Sequence, residues 1–200
     1  MISWLDPKLN QEKFEVERKF KLSKLLLPDF LDKLAGLAFK KLDNYQMTDY
    51  FLPVYANFDM VRIRQETGVK TKFYLTCKTW KVLTDGSRER IEEEEELSSK
   101  MGLILLSLVT NNSAIKFFTK TRDVFVGSLS GQRVTVCLDN VSNLGVFSGN
   151  YLEIEILVSA ENQIPEARNS IDHLVKELLT QYDYQPMELS YFDMLKHLDD

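Results

Sequence analysis

Charged and apolar side chains alternate along residues 14–20, the first regular stretch of the chain. Successive side chains of an extended strand point to opposite faces. Glu15, Glu17 and Lys19 therefore share one face of a predicted strand. A mostly apolar set that includes Phe14 and Phe20 occupies the other face. The pattern predicts a strand with one charged and one apolar face.

The same alternation recurs in four later stretches, at residues 60–65, 74–78, 120–122 and 152–156. A single strand of this kind is ordinarily interpreted as part of a sheet whose charged face is solvated. Several such strands can instead close into a barrel, with the charges in its lumen and helices over its apolar outside. The repetition favours the barrel, although a flat sheet also accommodates the pattern.

Hydrophobic periodicity predicts the other elements. Helical spacing follows Ser23, recurs at residues 101–108 and after Pro165, and predicts a short helix at 188–198. Strands are predicted at residues 39–52, 59–66, 71–80, 88–96, 114–126, 133–139 and 151–158. The chain shows no repeat or linker, so we predict one domain over residues 1–200 with residues 1–12 as an N-terminal extension.

Composition restricts the classes of function. The 200 residues are 44% hydrophobic and 28% charged, which suits one globular domain with a substantial core. A net charge of −5 argues against binding to a nucleic acid duplex, which usually requires a basic patch. We find neither a signal peptide nor an apolar run of membrane-spanning length, and Cys77 and Cys137 lack metal-type spacing. We therefore expect a cytoplasmic protein with reduced cysteines and no membrane partner.

Eight short motifs resemble, in order, those of the CYTH superfamily of triphosphate tunnel metalloenzymes, which includes class IV adenylyl cyclases, thiamine triphosphatases and inorganic triphosphatases. The resemblance rests on Glu15, Glu17 and Lys19; Asp49, Tyr50 and Phe51; Arg62 and Arg64; Lys78; Arg90, Glu92 and Glu94; Lys120 and Arg122; Asp139, Gly145, Glu153 and Glu155; and residues 190–195. It extends from about residue 14 to residue 195. Leu52 and Pro53, and a longer loop at residues 141–150, depart from the family pattern.

The resemblance implies an α+β fold, an eight-stranded antiparallel closed or nearly closed β-barrel with helices packed outside. It also implies a triphosphate-containing small molecule as the substrate, because lysine and arginine side chains would bind its phosphates inside the tunnel. The expected phosphate-binding residues are Lys19, Arg62, Arg64, Lys78, Arg90, Lys120 and Arg122. The expected ligands of Mg²⁺ or Mn²⁺ are Glu15, Glu17, Asp139, Glu153 and Glu155, since both metals prefer carboxylate oxygens. The roles of Glu92 and Glu94 stay open.

The expected function is metal-dependent hydrolysis of a triphosphate by an enzyme that is a monomer or a homodimer. A class IV-like adenylyl cyclase is the first alternative, and a non-catalytic binder of polyphosphate or nucleotide is the second. Phosphoryl transfer depends mainly on positioning and electrostatic stabilisation, so no covalent nucleophile is required. The general base is either Lys19 or a metal-bound carboxylate. Tyr50 is expected to assist by hydrogen bonding, with packing as its alternative role.

Overall fold

The computed structural model describes residues 14–23, 27–53, 58–86 and 88–198, and for Arg90 the backbone alone. The predicted N-terminal extension, and Leu25 and Leu26 of the first predicted helix, lie outside these residues. The strands are β1 (Phe14–Leu22), β2 (Lys40–Leu52), β3 (Met60–Thr67), β4 (Thr71–Val82), β5 (Arg88–Leu97), β6 (Lys116–Leu129), β7 (Gln132–Ser142), β8 (Gly149–Val158) and β9 (Tyr184–Met187). The α-helices are α1 (Leu27–Gly36), α2 (Ser99–Thr110), α3 (Ile164–Leu179) and α4 (Tyr191–Lys196). Short 3₁₀ turns occupy Gly145–Phe147 and Glu161–Gln163.

Eight strands form a closed antiparallel barrel, as predicted. Their order around the barrel is β5, β4, β3, β2, β6, β7, β8 and β1, and β1 closes it by pairing with β5. Within the described residues, this closing contact consists of Phe14 opposite Ile91 and Glu15 opposite Arg90. The other pairings are longer, and β1 runs along β8 over nine residue pairs from Phe14 to Leu22. The added strand β9 pairs with the second half of β1.

The alternating pattern of β1 explains how the barrel is oriented. The apolar side chains of Phe14, Val16 and Phe20 are buried in a cluster that includes the inner face of α3. Burial of these side chains outside the strands turns the opposite face of β1 toward the lumen. The register with β8 then places Glu17 opposite Glu155 and Lys19 opposite Glu153. Both strands therefore contribute alternate charged residues to the interior.

The helix α2 lies against the outside of β4. Ser98 caps its first turn by accepting a hydrogen bond from the backbone N–H of Met101. Gly102 packs so closely on Phe73 that a Cβ at this position would lie 2.2 Å from a ring carbon. The absence of a side chain on Gly102 thus sets the distance between helix and sheet.

The helix α4 closes one end of the lumen. Its residues Tyr191, Met194 and Leu195 form a buried cluster with Phe51 and Phe118. Phe51 and Phe118 lie on the inward faces of β2 and β6, each two residues from a lumen charge. No helix among the described residues is long and apolar enough to span a membrane.

Candidate active site

The barrel interior contains a cavity of roughly 480 Å³ that is lined mainly by charged side chains. Its walls come from β1, β2, β3, β4, β5, β6 and β8, together with α4. The described side chains that line it include Glu15, Glu17, Lys19, Arg62, Arg64, Lys78, Glu92, Glu94, Lys120, Arg122, Glu153 and Glu155. The structure therefore brings together charges from distant parts of the sequence, such as Glu15 and Glu155.

Asp49 organises the arginines of β3. The Nε of Arg64 donates to its Oδ1 at 2.7 Å and the Nη2 to its Oδ2 at 2.9 Å, a bidentate pair. Arg62 donates to the same Oδ2 at 3.4 Å and to the Oγ1 of Thr76 at 3.2 Å. Burial opposes ionisation of Asp49, but the charges of Arg64 and Arg62 outweigh it and lower its pKa. Asp49 thus fixes the orientation of the guanidinium groups of Arg62 and Arg64 inside the lumen.

Asp139 on β7 plays the same part for the cations of the neighbouring strand β6. It accepts a hydrogen bond from the Nζ of Lys120 at 2.9 Å and two from Arg122 at 2.6 Å. The hydroxyl of Tyr191 donates to it at 3.0 Å. Burial opposes its ionisation, yet Arg122 and Lys120 lower its pKa. Asp139 does not line the main cavity but lies behind the cations that do.

Glu153 connects this group to β1. Its carboxylate pairs with the guanidinium of Arg122, and its Oε1 lies 3.1 Å from the Nζ of Lys19. The same ammonium is 3.5 Å from Glu17. Burial raises the pKa of Glu153, but Arg122 and Lys19 lower it well below its ordinary value. Glu153 is therefore an anion held between two cations.

A more acidic region surrounds the start of β1. Glu15 is buried and accepts a hydrogen bond from the Nζ of Lys78 at 3.0 Å, while Lys78 also pairs with Glu92. Burial raises the pKa of Glu15 well above its usual value, although Lys78 opposes the shift. Burial and the nearby Glu17 raise the pKa of Glu155 to about 7. Several carboxylates here repel one another, a situation that a bound cation relieves.

The donor chemistry of this region fits Mg²⁺ or Mn²⁺, because both ions prefer carboxylate oxygens. The described residues contain no group of three or more His, Cys, Asp or Glu side chains already gathered to hold a metal ion. The carboxylates instead contact lumen cations, as Glu15 contacts Lys78 and Glu153 contacts Lys19. Metal binding would therefore exchange ion pairs within the lumen for metal contacts.

The structure places Tyr50 away from the cavity. On β2 its side chain points away from Asp49 and Phe51 and stacks on Phe117, with ring centroids 5.7 Å apart. Tyr50 does not line the cavity, which favours packing, the alternative role that we expected for it. The backbone of Arg90 pairs with Glu15 and Trp80, and its side chain lies outside the described part of the chain.

Sequence reasoning missed Tyr191 as a lumen residue. Its ring lies 4.1 Å from the Nζ of Lys19 and 4.9 Å from that of Lys120, which are cation–π distances. Burial and the charge of Glu153 raise its pKa well above the ordinary value, so its hydroxyl stays protonated and can donate. The only sequence signal was its place in the motif at residues 190–195.

Comparisons with known proteins agree with this architecture. The family model for the CYTH domain matches residues 13–182. The PH1819 protein of Pyrococcus horikoshii OT3 is 24% identical and has a TM-score of 0.62, with 92% of this chain and 99% of that chain covered. A protein described as a putative adenylate cyclase from Vibrio parahaemolyticus is 16% identical, with a TM-score of 0.61 and coverages of 92% and 98%. Among curated proteins, none matches significantly. The match of the family model over most of its length shows that the chain belongs to the CYTH domain family.

Proposed function

We propose that the chain is a metal-dependent enzyme that hydrolyses the terminal phosphate of a triphosphate inside the barrel. One observation supports this above all others. Six lysine and arginine side chains of the barrel strands converge on a cavity of roughly 480 Å³, and buried carboxylates orient most of them. Such a constellation suits a compact ligand with several negative charges. Without a ligand, the burial of so much charge is costly.

The two carboxylates behind the cations determine how the phosphates would be held. Asp49 directs Arg62 and Arg64, and Asp139 directs Lys120 and Arg122. Groups held in place before the reaction need little reorganisation as charge develops in the transition state. Arginine forks contact two phosphate oxygens at once, whereas lysine acts as a point charge. We assign triphosphate binding to these four cations together with Lys19, Lys78 and Arg90.

We assign the divalent metal to Glu15, Glu17, Glu153 and Glu155, the carboxylates of β1 and β8 that line the cavity. Mg²⁺ or Mn²⁺ bound there would neutralise phosphate charge and polarise a phosphoryl oxygen. Asp139 was expected to be a fifth ligand, but its oxygens already accept hydrogen bonds from Lys120, Arg122 and Tyr191. We therefore assign it the orientation of cations.

Hydrolysis without a covalent intermediate agrees with the chemistry of the lumen. Cys137 lies close enough to Arg122 and Asp139 for their charges to affect it. Burial raises the pKa of its thiol to about 12, so the thiol is protonated at neutral pH and is a poor nucleophile. Direct transfer of the phosphoryl group to water requires only positioning and charge stabilisation. Lys19 contacts Glu153 and Glu17, which suits a cation that binds phosphate.

A substrate panel tests the proposal. Purified protein is incubated with inorganic triphosphate, thiamine triphosphate or ATP in the presence of Mg²⁺ or Mn²⁺, and phosphate, pyrophosphate and cyclic AMP are resolved. We expect orthophosphate as the main product from at least one substrate. We also expect Arg64→Ala to reduce turnover roughly a hundredfold by removing charge stabilisation. The exposed Lys70, in the turn after β3, provides the matched control Lys70→Ala.

Adenylyl cyclase activity is the second candidate function. It is favoured by residues 190–195, which resemble the ending of the cyclase branch and place Tyr191 in the lumen. If pyrophosphate and cyclic AMP are the main products from ATP, the assigned reaction is cyclisation and not hydrolysis. Equal losses of activity in Arg64→Ala and Lys70→Ala would contradict both assignments, because Lys70 lies away from the cavity.

A further inference from the structure

The helix α2 presents a second apolar stripe to the outside of the molecule. Gly102 and Val109 lie on its inner side and are buried. Met101, Ile104 and Leu108 follow one another at spacings of three and four residues, so their side chains share another face of the helix. They are 48%, 47% and 65% exposed, respectively. We call these three side chains the α2 stripe.

The composition of α2 is unusual for a surface helix. A helix that packs on a sheet with one face usually bears charged residues on the opposite face. Lys100 is the only charged residue in α2, from Ser99 to Thr110. The side chains of the α2 stripe together expose on the order of 300 Å², a size at which apolar patches of soluble proteins are often functional. The stripe is therefore expected to be covered by a partner.

The position of Lys100 favours a second copy of this chain as that partner. Lys100 lies in the first turn of α2, where the positive end of the helix dipole disfavours a cation. It precedes Ile104 by four residues and so borders the α2 stripe. When two copies of α2 pack antiparallel, each Lys100 lies beside the C-terminal end of the other helix. The last turn there contains no basic residue, and its partial negative charge stabilises a cation.

The α2 stripe is also complementary to itself. An antiparallel pair about a two-fold axis places Met101 of one copy against Leu108 of the other, with both Ile104 side chains near the axis. Two stripes contribute about 600 Å² of apolar surface, which at the usual apolar share corresponds to an interface of roughly 1,000 Å² in total. This area is near the lower limit of specific interfaces. The expected dimer is therefore weak and depends on protein concentration.

The surroundings of α2 disfavour a membrane surface as the partner. The helix also contacts β5, whose outer face bears the exposed carboxylates Glu93 and Glu95. Helices that bind membrane surfaces are typically rich in lysine and arginine on their polar face, because anionic lipids attract these side chains. A single lysine next to two carboxylates does not provide this attraction.

We propose that two copies of the chain associate through the α2 stripe, with their α2 helices antiparallel across a two-fold axis. The contact consists of Met101, Ile104 and Leu108 of both copies, with Lys100 at its two ends. Because α2 lies on the outside of the barrel, this association does not depend on the reaction in the lumen.

Sedimentation velocity of the full chain, from low to high micromolar concentration, tests the association. Wild type should change from the mass of a monomer to the mass of a dimer. Leu108→Glu should weaken dimerisation at least tenfold, because it places a carboxylate in the apolar contact. Leu42→Glu is the matched control, since Leu42 is 62% exposed on the part of β2 beyond its pairing with β3. A wild type that stays monomeric, or equal dimerisation of both variants, would overturn the proposal.

Cross-linking tests the orientation of the two helices. Met101→Cys and Leu108→Cys are prepared in a Cys77→Ser background, because Cys77 is partly exposed whereas Cys137 is buried. An antiparallel pair predicts disulfide-linked dimers when the two variants are mixed and mildly oxidised. Cross-links within each variant alone would indicate parallel helices, and no cross-link under conditions of dimerisation would indicate another interface. Either result would overturn the proposed contact.

The alkylation rate of Leu108→Cys, in the same background, distinguishes a second copy from other occupants of the α2 stripe. The rate should fall as the protein concentration rises, because association covers the thiol. Slow alkylation of a monomer at every concentration would assign the stripe to another segment of the same chain. Rapid alkylation at every concentration would leave the stripe to a different partner. Both of these outcomes would overturn the proposal.

Discussion

Single buried carboxylates determine the arrangement of the lumen. The side chain of Asp49 is 0% exposed and has a bidentate pair with Arg64. Asp139 is similarly buried and accepts from Lys120, Arg122 and Tyr191. Removal of one partner from such a group leaves a buried charge without compensation, which is more costly than loss of an exposed ion pair. These two residues therefore link stability to function.

The lowered pKa of Asp49 predicts a pH-dependent stability. Its folded-state pKa is below the ordinary value of 3.8, so its contribution is complete above the unfolded-state pKa and is lost as pH falls through the folded-state pKa. Asp49→Asn should reduce the free energy of unfolding at pH 7 by about 3 kcal/mol. The difference between the variant and wild type should shrink as pH falls below about 4. Denaturant unfolding at pH 7 and pH 3 measures both effects.

The control for Asp49 is Glu95→Gln, an exposed position on the outer face of β5. This change should alter the free energy of unfolding by less than about 0.5 kcal/mol at either pH. A difference between Asp49→Asn and wild type that is the same at pH 7 and pH 3 would contradict the assigned pKa shift.

Tyr191 combines two contacts that substitutions can separate. Tyr191→Phe keeps the ring over Lys19 and removes the hydroxyl that donates to Asp139. We expect it to lower stability by about 1.5 kcal/mol, the value of a hydrogen bond to a charged group. Tyr191→Leu also removes the cation–π contacts and should raise the KM for triphosphate further, because Lys19 and Lys120 lose their aromatic neighbour. Steady-state kinetics and thermal unfolding of both variants measure the change in KM and the change in stability. A larger increase in KM or a larger loss of stability in Tyr191→Phe than in Tyr191→Leu would contradict the assigned contacts.

The alternation of charged and apolar side chains made the barrel and its charged interior predictable at the scale of elements. Charged side chains on the same face of each of the strands β1, β3, β4, β5, β6 and β8 line one cavity, as the pattern predicts. The strand β9 was missed because it has only four residues, is mostly exposed and contains Pro186, which favours a prediction of loop. The end helix was predicted at residues 188–198 and instead begins at Tyr191 after its cap, Ser190.

Other features of the site depend on register and tertiary contact, which a local pattern does not contain. Asp49 faces Arg64 across β2 and β3, a pairing that becomes visible only when the register is known. Tyr191 contacts Asp139 from 52 positions away. Tyr50 was assigned to the site through its motif, although its phase on β2 places it opposite Asp49. The sequence therefore predicts the face of a strand more reliably than the partners of its side chains.

The packing of α2 gives a prediction at the same scale. Gly102→Ala places a Cβ within 2.2–2.5 Å of Phe73, so the helix must move away from the sheet. Overpacking of this kind costs about 1–3 kcal/mol, more than the gain in helix propensity from glycine to alanine. Gly36→Ala in α1 is the matched control, because no atom lies within 4 Å of its added Cβ. Denaturant unfolding should show destabilisation only for Gly102→Ala, and equal stability of the two variants would contradict the close packing.

At the scale of the whole molecule, the charges of the barrel interior are nearly balanced before any ligand binds. The described barrel strands contribute six cationic side chains to this interior, Lys19, Arg62, Arg64, Lys78, Lys120 and Arg122. The same strands contribute eight carboxylates, Glu15, Glu17, Asp49, Glu92, Glu94, Asp139, Glu153 and Glu155. A triphosphate carries about four further negative charges, and at short range these repel the carboxylates strongly. Divalent cations are therefore expected to accompany the triphosphate.

This balance predicts that triphosphate and metal stabilise the fold together and much less separately. With a non-hydrolysable triphosphate analogue and Mg²⁺ or Mn²⁺ at about 100 times the Kd, the gain in stability should be about 2.7 kcal/mol, or on the order of 5–10 °C in Tm. Glu17→Gln and Glu155→Gln should lower this joint shift, because each removes a carboxylate of the proposed metal site. The outward-facing change Glu95→Gln should leave the shift unaltered. Thermal unfolding with analogue alone, metal alone, both, and both with excess chelator measures the coupling. A full shift in excess chelator would show that the lysines and arginines hold the triphosphate without metal and would remove the β1 and β8 carboxylates from that role.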